Sequence, residues 1–333
     1  HQGYIEPTAS VVQITPPSGG RGERVQVWAA NKVPYSLRKE LARVLQLTPE
    51  DVVVNAVTIG GDFGGKSSVA DLPTAYHLAR KLGRPVKFVN SIEEDLTAAS
   101  PKHPIITKLR TGVKNDGTIV AHEAKVWINR GAYTGLNTTG NGLLGGPQRA
   151  GNFYATPNQR IEAFAAYTNQ VPCGFMRAPG SPQVLFAVES HMDDIARQLG
   201  MDPKAFRELN VPETAPTGAE SIARQVMNAA GEAFGWSDAP KPERSGKLVG
   251  RGLAIADRNQ GAGEGSSAIT VNPDGTITVL TAMPDNGTGG LTIVAAIVAE
   301  TWGVPLERVR LVRGNTDSLP IDVESGGSRI TNT

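Results

Sequence analysis

The sequence predicts an α+β protein of two domains, each built from mixed short strands and helices. Three observations lead there. Helical and strand patterns do not alternate strictly along the 333 residues, as a doubly wound sheet would require. Two Asp-Gly turns, in Lys114-Asn115-Asp116-Gly117-Thr118 and Asn272-Pro273-Asp274-Gly275-Thr276, sit between alternating apolar runs and mark hairpins. The stretch from Val211 to Gly246 is rich in Pro, Gly and charge around one helix, with Ala239-Pro240-Lys241-Pro242 near its end. It reads as a connection between a first domain at 1–210 and the start of a second, truncated one at 247–333.

The elements follow from apolar spacing. Helical periodicity runs over about 34–46, 73–83, 183–199, 219–234 and 291–302. Val52 to Ile59 reads as an apolar strand that enters a glycine-rich loop at 60–65. An internal similarity links the two ends of the chain. Leu41-Ala42-Arg43-Val44-Leu45 leads to Pro49-Glu50-Asp51-Val52, a strand and that loop. Ile297-Val298-Ala299-Glu300 leads to Pro305-Leu306-Glu307-Arg308-Val309, a strand and Ser325-Gly326-Gly327-Ser328. Either two such loops face one elongated ligand from opposite sides, or a common supersecondary unit simply occurs twice.

Composition narrows the function classes. Lys and Arg number 33 against 32 for Asp and Glu, so the net charge is +1 and gives no footprint for nucleic acid. No run approaches the ~18–20 apolar residues of a membrane span. The chain opens at His1 and stops at Thr333 after a Gly/Ser-rich stretch, so it reads as an internal segment of a longer polypeptide. No signal peptide is visible, which points to the cytoplasm and, with the true N-terminus missing, leaves periplasmic export open. The single cysteine, Cys173, cannot build an iron–sulfur cluster, which takes about four cysteine ligands. It reads as a small buried apolar residue. The five histidines show no metal-ligand spacing.

Gly60-Gly61-Asp62-Phe63-Gly64-Gly65-Lys66-Ser67 satisfies the phosphate-loop pattern G-x-x-x-x-G-K-[ST] and follows an apolar strand. A P-loop nucleotide hydrolase is therefore one reading. Three features oppose it. Asp62 would put a carboxylate into the nest of amides meant for phosphate. Pro73 falls inside the helix that should follow directly. The nearest candidate for a strand ending in a magnesium-binding Asp, Leu253-Ala254-Ile255-Ala256-Asp257, is weak. Glycine pairs flanking an aromatic instead suit close approach of backbone to a flat or anionic ligand, with the ring closing one side.

The same residues closely resemble the G-G-x-F-G-G-K motif of the large subunit of molybdenum hydroxylases, the class of xanthine dehydrogenase and aldehyde oxidase. Further landmarks follow in order: His1-Gln2-Gly3-Tyr4-Ile5-Glu6-Pro7, Lys102-His103-Pro104, Gly131-Ala132-Tyr133 and the arginine loop Phe175-Met176-Arg177-Ala178-Pro179-Gly180. Asp193-Asp194-Ile195-Ala196, Leu199-Gly200-Met201-Asp202-Pro203, Arg207-Glu208-Leu209-Asn210, Asp285-Asn286-Gly287-Thr288-Gly289, Asn315-Thr316-Asp317 and Ser325-Gly326-Gly327-Ser328-Arg329 complete the set. The resemblance covers essentially the whole chain.

It implies two domains sharing an extended molybdopterin-binding cleft, and hydroxylation of a carbon with water as oxygen source. The protein would bind and tune a molybdenum–molybdopterin cofactor, which bacterial relatives commonly carry in a cytosine dinucleotide form. Electrons would leave through 2Fe-2S clusters and FAD on partner subunits or domains. Gly61, Asp62, Phe63 and Gly64 would lie beside the cofactor, with Phe63 and Arg177 near the molybdenum and no protein ligand to the metal itself. Gly287, Thr288, Ser325, Gly326, Gly327 and Ser328 would bind the pterin and its phosphate through amides and hydroxyls. The Arg177 guanidinium suits oxygen-rich ligands; its structural alternative is an ordinary ion pair.

The chain also departs from the family. Lys32 stands where many members carry a glutamine near the molybdenum, and Thr288 replaces another cofactor-contacting glutamine. In the substrate pocket, Ser67 replaces the glutamate of purine oxidisers and Pro179 replaces an aromatic. Their substrate arginine has no counterpart; its place falls near Gly145. These changes disfavour xanthine and leave an aldehyde or another heterocycle as the small organic substrate. The family's general base, a glutamate in a Gly-Glu-Pro context, is expected beyond Thr333, and Glu264 in Gly263-Glu264-Gly265 is not a replacement. Without it the 333-residue piece alone should be inactive. Lys32 and Thr288 also admit a degenerate family member retained as a scaffold.

Overall fold

The computed structural model describes the chain except residues 19, 21, 135–144, 152, 215–220, 238–245, 258–260, 323 and 332–333. Ala239-Pro240-Lys241-Pro242 lies outside the described residues. Three sheets and seven helices among the described residues give the α+β architecture.

The first sheet holds β1 (Ala9–Thr15), β2 (Arg24–Ala29), β3 (Val52–Asn55) and β4 (Val86–Val89) in the order β3-β2-β1-β4. Only the β2–β3 pair is parallel. Two amphipathic helices cover it, α1 (Pro34–Leu45) and α2 (Leu72–Leu82). Each has a proline in its first turn, where the missing N–H costs nothing. Leu37, Leu41, Leu72, Ala75 and Ala79 meet Val12, Val25, Val27, Val52 and Val54 in one core. The apolar run at 52–59 is a shorter strand than the sequence predicts. It ends at Asn55, whose side-chain amide donates back to Gln26 and Val27 and whose backbone forms an isolated bridge to Asn315. A short helix absent from the sequence reading, α3 (Ile92–Ala98), starts on a Ser91–Glu94 capping box.

The second sheet, β5-β6-β7, joins β5 (Ile105–Val113) to β6 (Ile119–Gly131) through the Asp116-Gly117 turn, with β7 (Asn158–Tyr167) parallel to β6. On it lies α4 (Ser181–Gln198), followed by α5 (Pro203–Asn210). Val184, Val188, Met192 and Ala196 repeat every four residues and pack against Ala124, Val126 and Ile128. The helix of the 211–246 stretch, α6 (Ile222–Phe234), adds Met227 to this core. Just beyond the stretch, Ile255 joins the same core.

The third sheet contains β8 (Ala268–Val271), β9 (Ile277–Thr281) and β10 (Val309–Arg313), in the order β10-β9-β8. The Asp274-Gly275 turn joins β8 and β9, and α7 (Gly290–Trp302) crosses from β9 to the parallel β10. This repeats β1-β2-α1-β3: an antiparallel pair, a helix, a single 3-10 turn (Pro49–Asp51 or Leu306–Arg308) and a parallel strand. The internal similarity is thus a shared supersecondary unit, and Lys32 hydrogen-bonds to both of its loops, at Asp62 and at Ser325.

Candidate functional site

The glycine-rich loop is closed by its own aspartate. Asp62, 3% exposed, accepts hydrogen bonds from the Gly64 and Lys66 amides at 2.8 Å each and from the Lys32 ammonium at 2.8 Å. These amides would be the phosphate ligands of a nucleotide loop. Lys66 is withdrawn as well: its ammonium lies 2.7 Å from the carbonyl oxygen of Glu6 and 2.7 Å from Oε2 of Glu6, under the Tyr4 ring. The helix expected directly after the lysine starts only at Leu72. The Gly64 and Lys66 amides and the lysine ammonium are thus engaged within the protein, which disfavours the nucleotide-hydrolase reading.

With the carboxylate turned inward, Phe63 turns outward. Its backbone is left-handed (φ 49°), and the ring is 46% exposed. Gly64 (φ +109°) lets the loop touch the arginine loop: a Cβ there would stand 2.7 Å from the Phe175 carbonyl oxygen. The Arg177 amide donates to the Phe63 carbonyl oxygen at 2.7 Å. The opening segment braces this junction through Gln2, whose side-chain amide donates to the carbonyl oxygens of Phe175 at 2.7 Å and Ser100 at 3.1 Å. The Lys102 ammonium donates to the Arg177 carbonyl oxygen at 3.0 Å.

The Arg177 side chain itself is exposed, and no ion pair engages its guanidinium among the described residues. Pro179 lies two residues on and is half-buried; Ser67, directly after Lys66, is half-buried too. Gly146 abuts the Gly180 backbone, which brings the neighbouring Gly145 beside the arginine loop.

The two distant loops join from the other side. Ile59 donates to the Asp285 carbonyl oxygen at 2.7 Å, the Asn286 side-chain amide donates to the Ser325 hydroxyl at 2.9 Å, and the Ser325 amide donates to the Lys32 carbonyl oxygen at 3.0 Å. The Lys32 amide in turn donates to the Lys66 carbonyl oxygen at 3.0 Å. Ser325 is buried in this seam and Gly326 half-buried, while Gly287, Thr288, Gly327 and Ser328 are exposed. The sequence-derived sites therefore converge from four loops. Sequence reasoning did not foresee that Gln2, Tyr4 and Glu6 hold the glycine loop, or that Lys32 ties it to Ser325. No local pattern marks these contacts, which link residues far apart in the chain.

These residues fit a flat, oxygen-rich cofactor. The junction offers an exposed aromatic, an exposed guanidinium, hydroxyls and glycine backbone with open space around Gly287 and Gly326. One part of the sequence reading shifts: Asp62 can meet a cofactor only through its main chain, because its carboxylate is consumed inside the loop.

Comparison with known proteins agrees. The family described as "Molybdopterin cofactor-binding domain" matches residues 1–211, and a second family of that description matches 225–333. The chain is 31% identical over 322 residues to the aldehyde oxidoreductase molybdenum-binding subunit PaoC of Escherichia coli (strain K12), covering 94% of this chain and 43% of that protein. It is 30% identical over 325 residues to the xanthine dehydrogenase molybdenum-binding subunit of Escherichia coli O157:H7, covering 92% and 43%. It superposes on the aldehyde oxidoreductase from Desulfovibrio gigas with a TM-score of 0.81 at 27% identity, covering 98% of this chain and 37% of that one. The chain thus spans less than half the length of these relatives. The converging loops, the two matched families and this superposition all point the same way, and the chain belongs to the molybdopterin-binding family of the molybdenum hydroxylases.

Proposed function

We propose that this chain forms the molybdopterin-holding part of an oxidoreductase that hydroxylates an aldehyde or N-heterocycle carbon, taking the oxygen from water. The observation that carries this reading is the hydrogen-bonded linkage of the loops at 60–66, 175–180, 285–288 and 325–328 through Phe63–Arg177, Lys32 and Asn286–Ser325. When bound, the molybdenum–molybdopterin group supplies two-electron oxidation of the substrate carbon. The chain's own residues bind and orient it. Gly61, Phe63 and Gly64 present a close-approach surface, Arg177 donates to oxygen-rich ligands, and Gly287, Thr288 and 325–328 offer amides and hydroxyls to the pterin and its phosphate.

Ser67 and Pro179 adjoin this surface as the substrate pocket. Neither carries the charge that a purine held by paired ionic hydrogen bonds would need, which favours an aldehyde or a less polar heterocycle. The cytosine dinucleotide form of the cofactor is part of the proposal, as is a cytoplasmic location. No helix among the described residues is long and apolar enough to cross a membrane.

Two electrons must then leave. One cysteine in 333 residues cannot ligate a cluster, and the proposal includes 2Fe-2S clusters and FAD on partner subunits or domains. The two Escherichia coli relatives are themselves named as subunits. The chain spans less than half the length of these relatives, and the proposal puts the general-base glutamate in the part that it does not cover.

The test is the molybdenum content of the assembly expressed from its complete reading frame, followed by turnover of aldehyde and N-heterocycle panels in 18O-water. About one molybdenum per large subunit and label in the product support the proposal. A folded, matured assembly without molybdenum sinks it and returns the scaffold reading. Unlabelled product removes water as the oxygen source.

A further inference from the structure

We propose that Lys32 is a positioning residue for the cofactor: its ammonium fixes the shape of the glycine-rich loop by neutralising Asp62. The inference rests on the cofactor reading above, and adds to it a residue that acts on the cofactor through the loop it holds. Three facts carry it. The Lys32 and Asp62 side chains are 12% and 3% exposed, so the pair is largely removed from water. Asp62 Oδ2 accepts from both the Gly64 amide and the Lys32 ammonium, while Oδ1 takes the Lys66 amide. Carboxylate and ammonium together therefore set the path of residues 62–66, and with it the outward turn of Phe63 and the contact of Gly64 with Phe175. Finally, the Lys32 peptide group joins the same loop to Ser325, so a loop displaced at Asp62 is displaced relative to the other wall of the cleft.

A buried carboxylate left without its cation is strongly unfavourable, whereas removing both charges together is often close to neutral. That asymmetry separates positioning through charge from mere bulk. The main-chain bonds of Lys32 survive any side-chain substitution except proline, so variants isolate the ammonium.

The experiment measures molybdenum and released pterin per large subunit in the complete, purified assembly after gel filtration, for the wild type, Lys32→Met, Lys32→Arg and Lys32→Met/Asp62→Asn. Lys32→Met should retain about tenfold less cofactor than the wild type, a loss of about 1.4 kcal/mol in binding and smaller than the full cost of a broken buried pair. Lys32→Arg should recover most of it and the double variant part of it, since the single oxygen of Asp62→Asn can hold only one of the Gly64 and Lys66 amides. In the folded assembly, hydrogen exchange across 62–66 should quicken in Lys32→Met, with the double variant returning toward wild type. Wild-type retention by Lys32→Met overturns the inference, as does a double variant no better than Lys32→Met, whether through poor retention or failure to assemble. Wild-type protein without molybdenum would instead defeat the cofactor reading itself, so the two failures are distinguishable.

Discussion

The Lys66 ammonium lies 2.7 Å from the carboxylate of Glu6, and the Tyr4 ring stands 4.5 Å away across the same contact. The lysine of an apparent phosphate loop is thus a strut between the opening segment and the glycine loop, wholly withdrawn from solvent. Its substitution should read out as stability. Lys66→Ala is expected to destabilise by about 2 kcal/mol, less than a fully buried pair because the Glu6 side chain is 36% exposed. Thermal unfolding of the assembly checks this. Titration with a fluorescent ATP analogue should show no binding before or after the change; binding by wild type that Lys66→Ala abolishes would revive the nucleotide reading.

Gly64 and Gly287 both have positive φ, yet substitution at the two should differ. A Cβ at Gly64 would stand 2.7 Å from the Phe175 carbonyl oxygen, whereas at Gly287 nothing lies within 4 Å. Gly287→Ala bears only the backbone penalty, about 1 kcal/mol. Gly64→Ala must also part the glycine and arginine loops, and should cost at least about 2 kcal/mol and lower cofactor content several-fold. Thermal melts of both variants give the comparison, with molybdenum analysis of Gly64→Ala, and equal melting shifts would contradict it.

Below the second sheet, Arg207 and Glu189 form a closed polar centre. Glu189 accepts from Arg207 Nε at 2.9 Å, the Tyr154 hydroxyl at 2.8 Å and the Ile255 amide at 3.0 Å, and Arg207 also reaches Asp193 at 2.7 Å. Burial and the adjoining Glu189 charge hold the Tyr154 hydroxyl protonated far above its usual range. Arg207→Met leaves Glu189 buried without a cation and should destabilise by about 3–5 kcal/mol. Denaturant unfolding should show this as a lower midpoint; a midpoint unchanged from wild type would mean that the centre relaxes or hydrates on losing its cation.

Acid should loosen the fold through histidine. Burial, with the Arg130 charge nearby, pushes His103 down to about 4 from an ordinary value of 6.5, and burial also lowers His122 and His191. The unfolded chain then binds more protons than the folded one as pH falls below 6.5. Stability present above that pH is lost progressively toward pH 4. For His103 alone the loss by pH 5 is on the order of 2 kcal/mol. Melting temperatures measured from pH 7.5 to 5 should decline, and His103→Leu should flatten that decline. A parallel decline in the variant would assign the acid sensitivity elsewhere.

Much of this was legible in the sequence wherever the cause is local. Apolar residues four apart announced α4, and the Asp-Gly pairs announced both hairpins, because turn geometry and face burial are decided within a few residues. The repeated helix, turn and strand could also be read, since both copies solve the same packing problem. What could not be read depends on contacts across the chain. The strand at 52–59 stops early because Asn55 meets Asn315, 260 residues away. Asp62 looked like a cofactor-facing residue because nothing in its neighbours reveals that Lys32, thirty positions upstream, would draw it inward.

Arg177 offers the sharpest separation of function from structure. The loop that carries it is held by main-chain bonds: its amide donates to Phe63 and its carbonyl oxygen accepts from Lys102. The side chain adds nothing to that hold, being exposed with no ion pair among the described residues. Arg177→Ala should therefore leave stability within about 0.5 kcal/mol of wild type, as for an ordinary surface change. The same substitution should reduce turnover by tenfold or more if the guanidinium stabilises charge at an oxygen-rich cofactor or substrate, since such donors are worth about 2.7–4 kcal/mol at a reacting centre. Melting temperature, cofactor content and kcat measured on one preparation decide the matter. Full cofactor with depressed kcat places Arg177 at the chemistry, and depleted cofactor places it in binding. Unchanged activity removes it from the site, whatever its exposure suggests.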